Sequence, residues 1–136
     1  MAKKQNRMRI KGAVVSGQGV GKNFVELKWA RRQFKEKLGF KPCLGTLNLI
    51  LTDEEAEKRR KLERLEGIAI TPEKGYCKAK CFKAEIEGLE NVEAAIILPL
   101  VLNYPKNLIE IISPVNLRKK LNLRDGNSLE ILVYCW

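Results

Sequence analysis

The stretch GTLNLIL, residues 45–51, predicts a β-strand because its leucines recur at every second position. Its three leucines share one face, while Thr46, Asn48 and Ile50 share the other. Asparagine is disfavoured within strands, so Asn48 indicates a polar task. Two neutral oxygens on one face could form half of a Mg²⁺ site, since Mg²⁺ combines few protein ligands with waters and phosphate oxygens. The alternative is a half-buried strand whose polar side chains cap neighbouring backbone.

Short apolar segments separated by turn residues recur before and after this strand along the chain. Further strands are predicted over residues 9–16, 67–70, 77–86, 92–98, 108–112 and 128–134. Val25, Leu27 and Trp29 alternate, which predicts another short strand. Helices are predicted over residues 30–38, 53–66 and about 115–121, the second begun by a capping box of Thr52 and Glu55. Many short strands with few helices indicate a mainly β protein, a small β-barrel.

The overall composition is that of a folded protein. A length of 136 residues and a hydrophobic content of 45% predict one domain over residues 1–136, with a basic, flexible N-terminus over residues 1–8. No apolar run approaches the roughly 18 residues of a membrane helix, and the N-terminus lacks the apolar segment of a signal peptide. We therefore expect a cytoplasmic protein that acts as a monomer.

The formal net charge of +10 attracts polyanions, either nucleic acid or nucleoside triphosphates. The basic runs lie far apart, and the one at residues 58–61 is interleaved with acid in a helix predicted to face solvent, with Leu62 and Leu65 as its thin apolar contact. An aromatic content of 7% provides little base stacking, which makes nucleic acid the less favoured partner. A basic small-barrel nucleic-acid-binding or transcription-regulator module without catalytic activity remains the alternative function.

The chain has no histidine, which excludes Ser-His-Asp and Cys-His catalysis and the common histidine-containing zinc sites. It has four cysteines: Cys43, Cys77, Cys81 and Cys135. An extended strand between Cys77 and Cys81 would hold their sulfurs roughly 13 Å apart, too far for one zinc ion. The cysteines are therefore predicted to be small buried thiols.

The stretch GAVVSGQGVGKNF, residues 12–24, carries a glycine-rich loop. Glycines allow backbone N–H groups to approach phosphate oxygens closely, and Lys22 adds a charge. The spacing is not that of a Walker A motif, and no long helix follows it. The loop is either a phosphate cradle or an ordinary hairpin connection, and the other polar segments favour the cradle.

The stretch IEIISPVNLRKKLNLRDG, residues 109–126, adds a carboxylate and an arginine. Glu110 points away from Ile109 and Ile111, either as an exposed edge position or as a carboxylate that accepts a substrate hydroxyl or its proton. Arg118 is a permanently charged partner for phosphate or, alternatively, a helix-surface ion pair. Asn116 and Arg118 near a helix start are placed for contact with an anion.

Taken together, residues 12–24, 38–51 and 109–126 resemble the archaeal-type CTP-dependent riboflavin kinases. The GTLNL and SPxNLR segments, in this order and spacing, are more specific than the glycine pattern. The resemblance implies a six-stranded cradle-loop (RIFT-like) β-barrel with a few short helices. It also implies Mg²⁺-dependent transfer of the γ-phosphoryl group of CTP to the 5′-hydroxyl of riboflavin, giving FMN and CDP.

The same resemblance implies roles for particular residues. The nucleotide would be held by Gln18, Gly19, Val20, Gly21, Lys22 and Asn23, together with Val115, Asn116, Leu117 and Arg118. Thr46 and Asn48 would bind Mg²⁺. Glu110 would contact the flavin and is the candidate to orient or deprotonate the hydroxyl, with Leu102 on the flavin side. Leu102 stands where the family pattern leads us to expect threonine, so a kinase that has lost turnover is a third interpretation.

Overall fold

The computed structural model describes residues 6–17, 25–73 and 75–135. Within them lie seven strands: β1 (Arg7–Val15), β2 (Leu47–Ile50), β3 (Ile68–Ile70), β4 (Ala79–Ile86), β5 (Leu89–Pro99), β6 (Leu108–Ile112) and β7 (Ser128–Tyr134). The same residues contain three helices: α1 (Lys28–Leu38), α2 (Asp53–Arg64) and α3 (Leu117–Lys120). No helix in this described part is long and apolar enough to cross a bilayer.

Six of the strands close into an antiparallel barrel, which confirms the predicted fold class. The order is β4-β5-β6-β2-β1-β7, and the pairing of β7 with β4 completes the circle. One edge of β4 serves two strands, because β3 pairs with its beginning and β7 with its end. The third strand therefore lies outside the closed barrel, as an extension of it.

The apolar face of β2 fills the barrel, as the alternation of leucines predicts. Leu47, Leu49 and Leu51 belong to the core inside the barrel. Gly12 of β1 permits this packing, since a Cβ atom there would lie 2.9 Å from the carbonyl oxygen of Ile50. The close approach of β1 to β2 therefore requires glycine at this position.

A second apolar cluster lies on the outer face of the barrel, beneath α1. Trp29, Ala30, Phe34 and Leu38 are the buried face of this helix, and Gly39 ends it in a left-handed conformation with φ of 86°. The strand predicted from Val25, Leu27 and Trp29 is wrong. Helix α1 begins at Lys28, directly after the N-cap Leu27, and Val25 and Trp29 both join this cluster.

Helix α1 also covers the outer edge of β3. The side-chain amide of Gln33 donates from Nε2 to the carbonyl oxygen of Thr71 at 2.8 Å, and the backbone N–H of Thr71 donates to Gln33 Oε1 at 2.7 Å. Lys37 Nζ donates to the carbonyl oxygen of Ala69 at 2.6 Å. Side chains of the helix thus occupy positions that a further strand would take.

Helix α2 is less solvent-facing than its charge predicts. Thr52 caps it as expected, with its side-chain oxygen accepting from the backbone N–H of Glu55. However, Arg59 is only 3% exposed. Its Nε donates to the carbonyl oxygen of Leu108 at 2.7 Å, and its guanidinium pairs with Glu63. The helix is therefore tied to the start of β6 by a buried arginine.

Replacing Arg59 with alanine is expected to lower the free energy of unfolding by about 2–4 kcal/mol, because the carbonyl of Leu108 loses a buried donor and the carboxylate of Glu63 is left with its longer contact to Lys106, at 3.9 Å. Urea denaturation measures the change. Arg60→Ala is the matched control, since Arg60 pairs with Glu57 on the exposed side of the same helix. Its expected effect is below about 0.5 kcal/mol. Equal losses in the two variants would contradict the structural role of Arg59.

Candidate active site

The polar face of β2 meets β6 outside the barrel. Gly45 precedes β2 in a left-handed conformation with φ of 85°. Asn48 stands directly opposite Glu110 in the antiparallel register, so their side chains lie on the same face of the sheet. Asn48 is 6% exposed and Glu110 is fully buried. Because β6 lies between β2 and β5, the interpretation of Glu110 as an exposed edge position is wrong.

Thr46 joins this pair through its hydroxyl. Oγ1 donates to Glu110 Oε1 at 2.9 Å and lies 3.5 Å from Asn48 Oδ1. A hydroxyl has one proton, and the shorter contact takes it, so the oxygens of Thr46 and Asn48 face each other as acceptors. Neighbouring ligands of an octahedral Mg²⁺ lie about 3.0 Å apart for bonds of about 2.1 Å. The neutral oxygen donors suit that ion, and the two oxygens would have to approach each other by about 0.5 Å to reach this spacing.

The second oxygen of Glu110 accepts from Tyr104. The phenol of Tyr104 donates to Oε2, and the guanidinium of Arg59 lies 5.2 Å from the centre of the tyrosine ring. Burial, followed by the hydrogen bond to the Glu110 carboxylate, raises the pKa of Tyr104 well above its usual value. The phenol therefore stays protonated and remains a donor. We call Thr46, Glu110, Tyr104 and Arg59 the carboxylate cluster.

Tyr104 and Arg59 were not among the site residues predicted from the sequence. Tyr104 lies in the loop between β5 and β6, where its apolar ring and polar tip gave no periodic pattern. One signal was available: a tyrosine beside Pro105, six positions before a carboxylate in an apolar strand, has a hydroxyl that needs a partner if the ring is buried.

The raised pKa of Tyr104 makes its contribution to stability depend on pH. In the unfolded chain the phenol loses its proton near pH 10, whereas the folded chain keeps it. This stabilisation is present in full below about pH 10 and is lost as the pH rises further. We expect the free energy of unfolding to fall more steeply between about pH 9 and 11 in the wild type than in Tyr104→Phe.

Urea denaturation across that pH range measures the two slopes. Tyr76→Phe is the control, because Tyr76 is exposed and stacks only loosely against Trp29, with ring centres 5.5 Å apart. This variant should keep the wild-type slope. Indistinguishable slopes for the wild type and Tyr104→Phe would show that the phenol is not protected from ionisation.

Arg118 connects α3 to the end of β1. Its Nη2 donates to Ser16 Oγ at 3.2 Å, and its Nη1 lies 3.0 Å from Asp125 Oδ1. Ser16 Oγ donates to the same carboxylate at 2.8 Å. The hydrogen bond from Ser16, followed by that from Arg118, holds the pKa of Asp125 below its usual value. The ion pair considered for Arg118 is present, at the point where the glycine-rich loop leaves β1.

Asn116 has a local role in the structure. Its side-chain oxygen accepts from the backbone N–H of Lys119 at 3.1 Å and so caps α3. The backbone N–H of Val115 donates to Ser113 Oγ at 3.3 Å. These bonds fix the turn between β6 and α3.

One cavity of about 150 Å³ brings two of the predicted segments together. Its walls include Thr46 from the start of β2 and four consecutive residues that were predicted to bind nucleotide: Val115, Asn116, Leu117 and Arg118. Asn48 and Glu110 adjoin this cavity through their contacts with Thr46. The metal and nucleotide candidates on β2 and α3 are thus neighbours.

The remaining predicted site residues lie apart from this cavity or cannot be placed. Leu102 is 88% exposed, in the loop that also carries Tyr104. Gln18, Gly19, Val20, Gly21, Lys22 and Asn23 lie outside the described residues. The described chain reaches Gly17, next to the Ser16 contact of Arg118.

The prediction of buried thiols holds for two of the four cysteines. Cys81 and Cys135 are buried, and burial raises the pKa of both thiols. Over residues 6–17, 25–73 and 75–135, no three side chains of histidine, cysteine, aspartate or glutamate are grouped to hold a metal. Cys43 and Cys77 are half-buried.

Comparison with known proteins settles the family. Residues 14–133 match the family model named for CTP-dependent riboflavin kinases, whose description is "Domain of unknown function DUF120". The chain belongs to this kinase family. The resemblance in the GTLNL and SPxNLR segments is thereby confirmed.

Curated relatives support the same conclusion. The riboflavin kinase of Archaeoglobus fulgidus is 44% identical over 133 residues, which cover 95% of this chain and 56% of the relative. That of Ignicoccus hospitalis is 44% identical over 129 residues, covering 92% and 70%. That of Sulfurisphaera tokodaii is 39% identical over 132 residues, covering 93% and 96%. The chain thus spans from little more than half to nearly all of the length of these relatives.

Proposed function

We propose that the chain is a riboflavin kinase that transfers the γ-phosphoryl group of CTP to the 5′-hydroxyl of riboflavin, giving FMN and CDP with Mg²⁺ as cofactor. Family membership supports the kinase activity, and the family's name supports CTP as donor. The observation that carries the proposal is the shared cavity, whose walls include Thr46, one of the two oxygen donors, together with the segment from Val115 to Arg118.

Phosphoryl transfer requires in-line positioning and neutralisation of charge more than covalent chemistry, so a chain without histidine suffices. We assign the cation to Thr46 and Asn48, whose neutral side-chain oxygens are neighbours and are of the type that Mg²⁺ binds. A bound Mg²⁺ supplies positive charge to phosphate oxygens. We assign the nucleotide to residues 18–23 of the glycine-rich loop and to residues 115–118, the latter of which line the cavity with Thr46.

Arg118 is placed to hold the phosphate chain. Its guanidinium carries five N–H donors, of which the contacts with Ser16 and Asp125 use only part. Its side chain is 37% exposed and lines the cavity, so a phosphate can reach it. In the nucleotide complex, phosphate oxygens would replace or share the contact with Asp125, while Ser16 keeps the arginine in place.

Glu110 is assigned to the acceptor hydroxyl. It lies between Thr46 on the cation side and Tyr104 in the loop between β5 and β6. The same loop exposes Leu100, Val101 and Leu102, and contiguous exposed apolar side chains are typical of a contact surface. We assign this surface, including Leu102, to the planar flavin ring. A carboxylate is an acceptor, which is the group that the riboflavin hydroxyl requires.

The direct test incubates the purified chain with riboflavin and either CTP or ATP, with Mg²⁺ or with EDTA, and follows FMN by chromatography. We expect FMN and CDP from CTP with Mg²⁺, and no FMN with EDTA. Failure to form FMN from either nucleotide, by protein shown to be folded by circular dichroism, would refute the kinase function. Equal rates with ATP and CTP would refute only the choice of donor.

Thr46→Val tests the cation pair, because it keeps the shape of the side chain and removes its oxygen. We expect the rate of FMN formation at subsaturating Mg²⁺ to fall about 10–100-fold. Unfolding should become easier by about 1–3 kcal/mol, since a buried oxygen of Glu110 loses its donor. Thr46→Ser retains the hydroxyl and is the matched control, with a rate close to that of the wild type. A Thr46→Val variant with a normal Mg²⁺ dependence would exclude Thr46 as a ligand.

A further inference from the structure

We propose that Tyr104 is a positioning residue that acts through Glu110 on the Thr46 hydroxyl, and thereby sets the affinity of the site for a divalent cation. The inference rests on the role proposed above for Thr46 and Asn48. It assigns a task to a side chain that reaches neither the cation pair nor the cavity directly.

The buried carboxylate of Glu110 links Tyr104 to Thr46. Glu110 is fully buried, and its two oxygens accept from different donors, Oε2 from Tyr104 and Oε1 from Thr46. With the phenol in place, Thr46 has one oxygen of Glu110 to which its proton is directed. Without the phenol, Oε2 is a buried acceptor that has lost this donor. Rotation of the carboxylate toward the threonine hydroxyl then becomes favourable.

The carboxylate of Glu110 orients the Thr46 hydroxyl. Because the proton of Thr46 points to Glu110, the lone pairs of Oγ1 are left on the side of Asn48 Oδ1, 3.5 Å away. A metal ligand is most effective when a hydrogen bond outside the coordination sphere fixes its orientation. The carboxylate provides that bond, so anything that moves the carboxylate changes the cation site.

Tyr104 is itself held in place by its surroundings. Its ring is 9% exposed, and the guanidinium of Arg59 lies 5.2 Å from the ring centre. Arg59 is in turn held by the carbonyl oxygen of Leu108, two residues before Glu110 on β6. The phenol is therefore fixed relative to the strand that carries the carboxylate, as a positioning group must be.

The experiment measures binding of Mn²⁺ to the full chain by the electron paramagnetic resonance signal of the free ion, with CDP at saturation. Tyr104→Phe removes only the phenolic oxygen, and we expect it to raise the Kd for Mn²⁺ about 3–10-fold. Glu110→Gln changes the residue that is hydrogen-bonded directly to Thr46, and it should raise the Kd for Mn²⁺ about 10–100-fold. Adding Tyr104→Phe to Glu110→Gln should have little further effect, because the tyrosine acts through the carboxylate.

Tyr134→Phe is the matched control. Tyr134 also donates to a glutamate, Glu85 Oε1 at 2.5 Å, but on the pair β4 and β7 rather than on β2 and β6. Its loss should leave the Kd for Mn²⁺ unchanged. A purely structural role of Tyr104 would lower the melting temperature of Tyr104→Phe and leave Mn²⁺ binding by the folded variant at the wild-type value.

Wild-type Mn²⁺ affinity in folded Tyr104→Phe would overturn the inference, as would equal weakening in Tyr134→Phe or full additivity with Glu110→Gln. If Tyr104→Phe does not fold, Arg59→Lys replaces it, because it retains the phenol but loosens the ring. Unchanged Mn²⁺ affinity in that variant would then overturn the inference, and weakened binding would support it.

The outcome is separable from that of the kinase assay. Mn²⁺ binding that depends on Tyr104, in a chain that forms no FMN, supports the positioning role and refutes the kinase function. If the chain forms FMN and its affinity for Mn²⁺ is unchanged in Tyr104→Phe, the positioning role is refuted and the kinase function is not. A wild-type chain that binds no Mn²⁺ in the presence of CDP also overturns the inference.

Discussion

The register between β2 and β6 is the constraint on which the core and the site both depend. Leu49 pairs with Ile109 inside the barrel, and on the opposite face Asn48 pairs with Glu110. Side chains alternate with a period of two, so a slip of β6 by one residue would place the carboxylate among the leucines, and a slip of β2 would place the leucines outside. Packing of the barrel therefore selects the same register that assembles the polar cluster.

The carboxylate cluster shows how a charge is accommodated in an apolar setting. Taking a carboxylate out of water is costly unless hydrogen bonds replace its hydration. Glu110 receives one donor from each side, and the tyrosine that supplies one of them lies beside the guanidinium of Arg59. The groups are thus oriented before any ligand arrives, which reduces the reorganisation that a reaction would require.

Much of the framework follows from local patterns, whereas the cluster does not. Alternation in residues 45–51 and an asparagine among leucines were enough to predict the strand and its polar face. Arg59 was misjudged because its burial depends on Leu108, 49 positions away, and the charges around it are typical of a solvated helix. Val25, Leu27 and Trp29 were assigned to a strand because three alternating apolar residues are too few to distinguish a strand from a segment that leads into a buried helix. The placement of residues 18–23 stays a prediction.

The edge of β3 has a consequence for how the chain behaves among other molecules. A strand with one neighbour invites an extended peptide, or another copy of the same protein, to dock along its open side. Here the amide of Gln33 binds both backbone groups of Thr71, and Lys37 occupies the carbonyl of Ala69. An incoming strand would first have to displace these side chains, so the helix protects the sheet extension from self-association and from growth into fibrils.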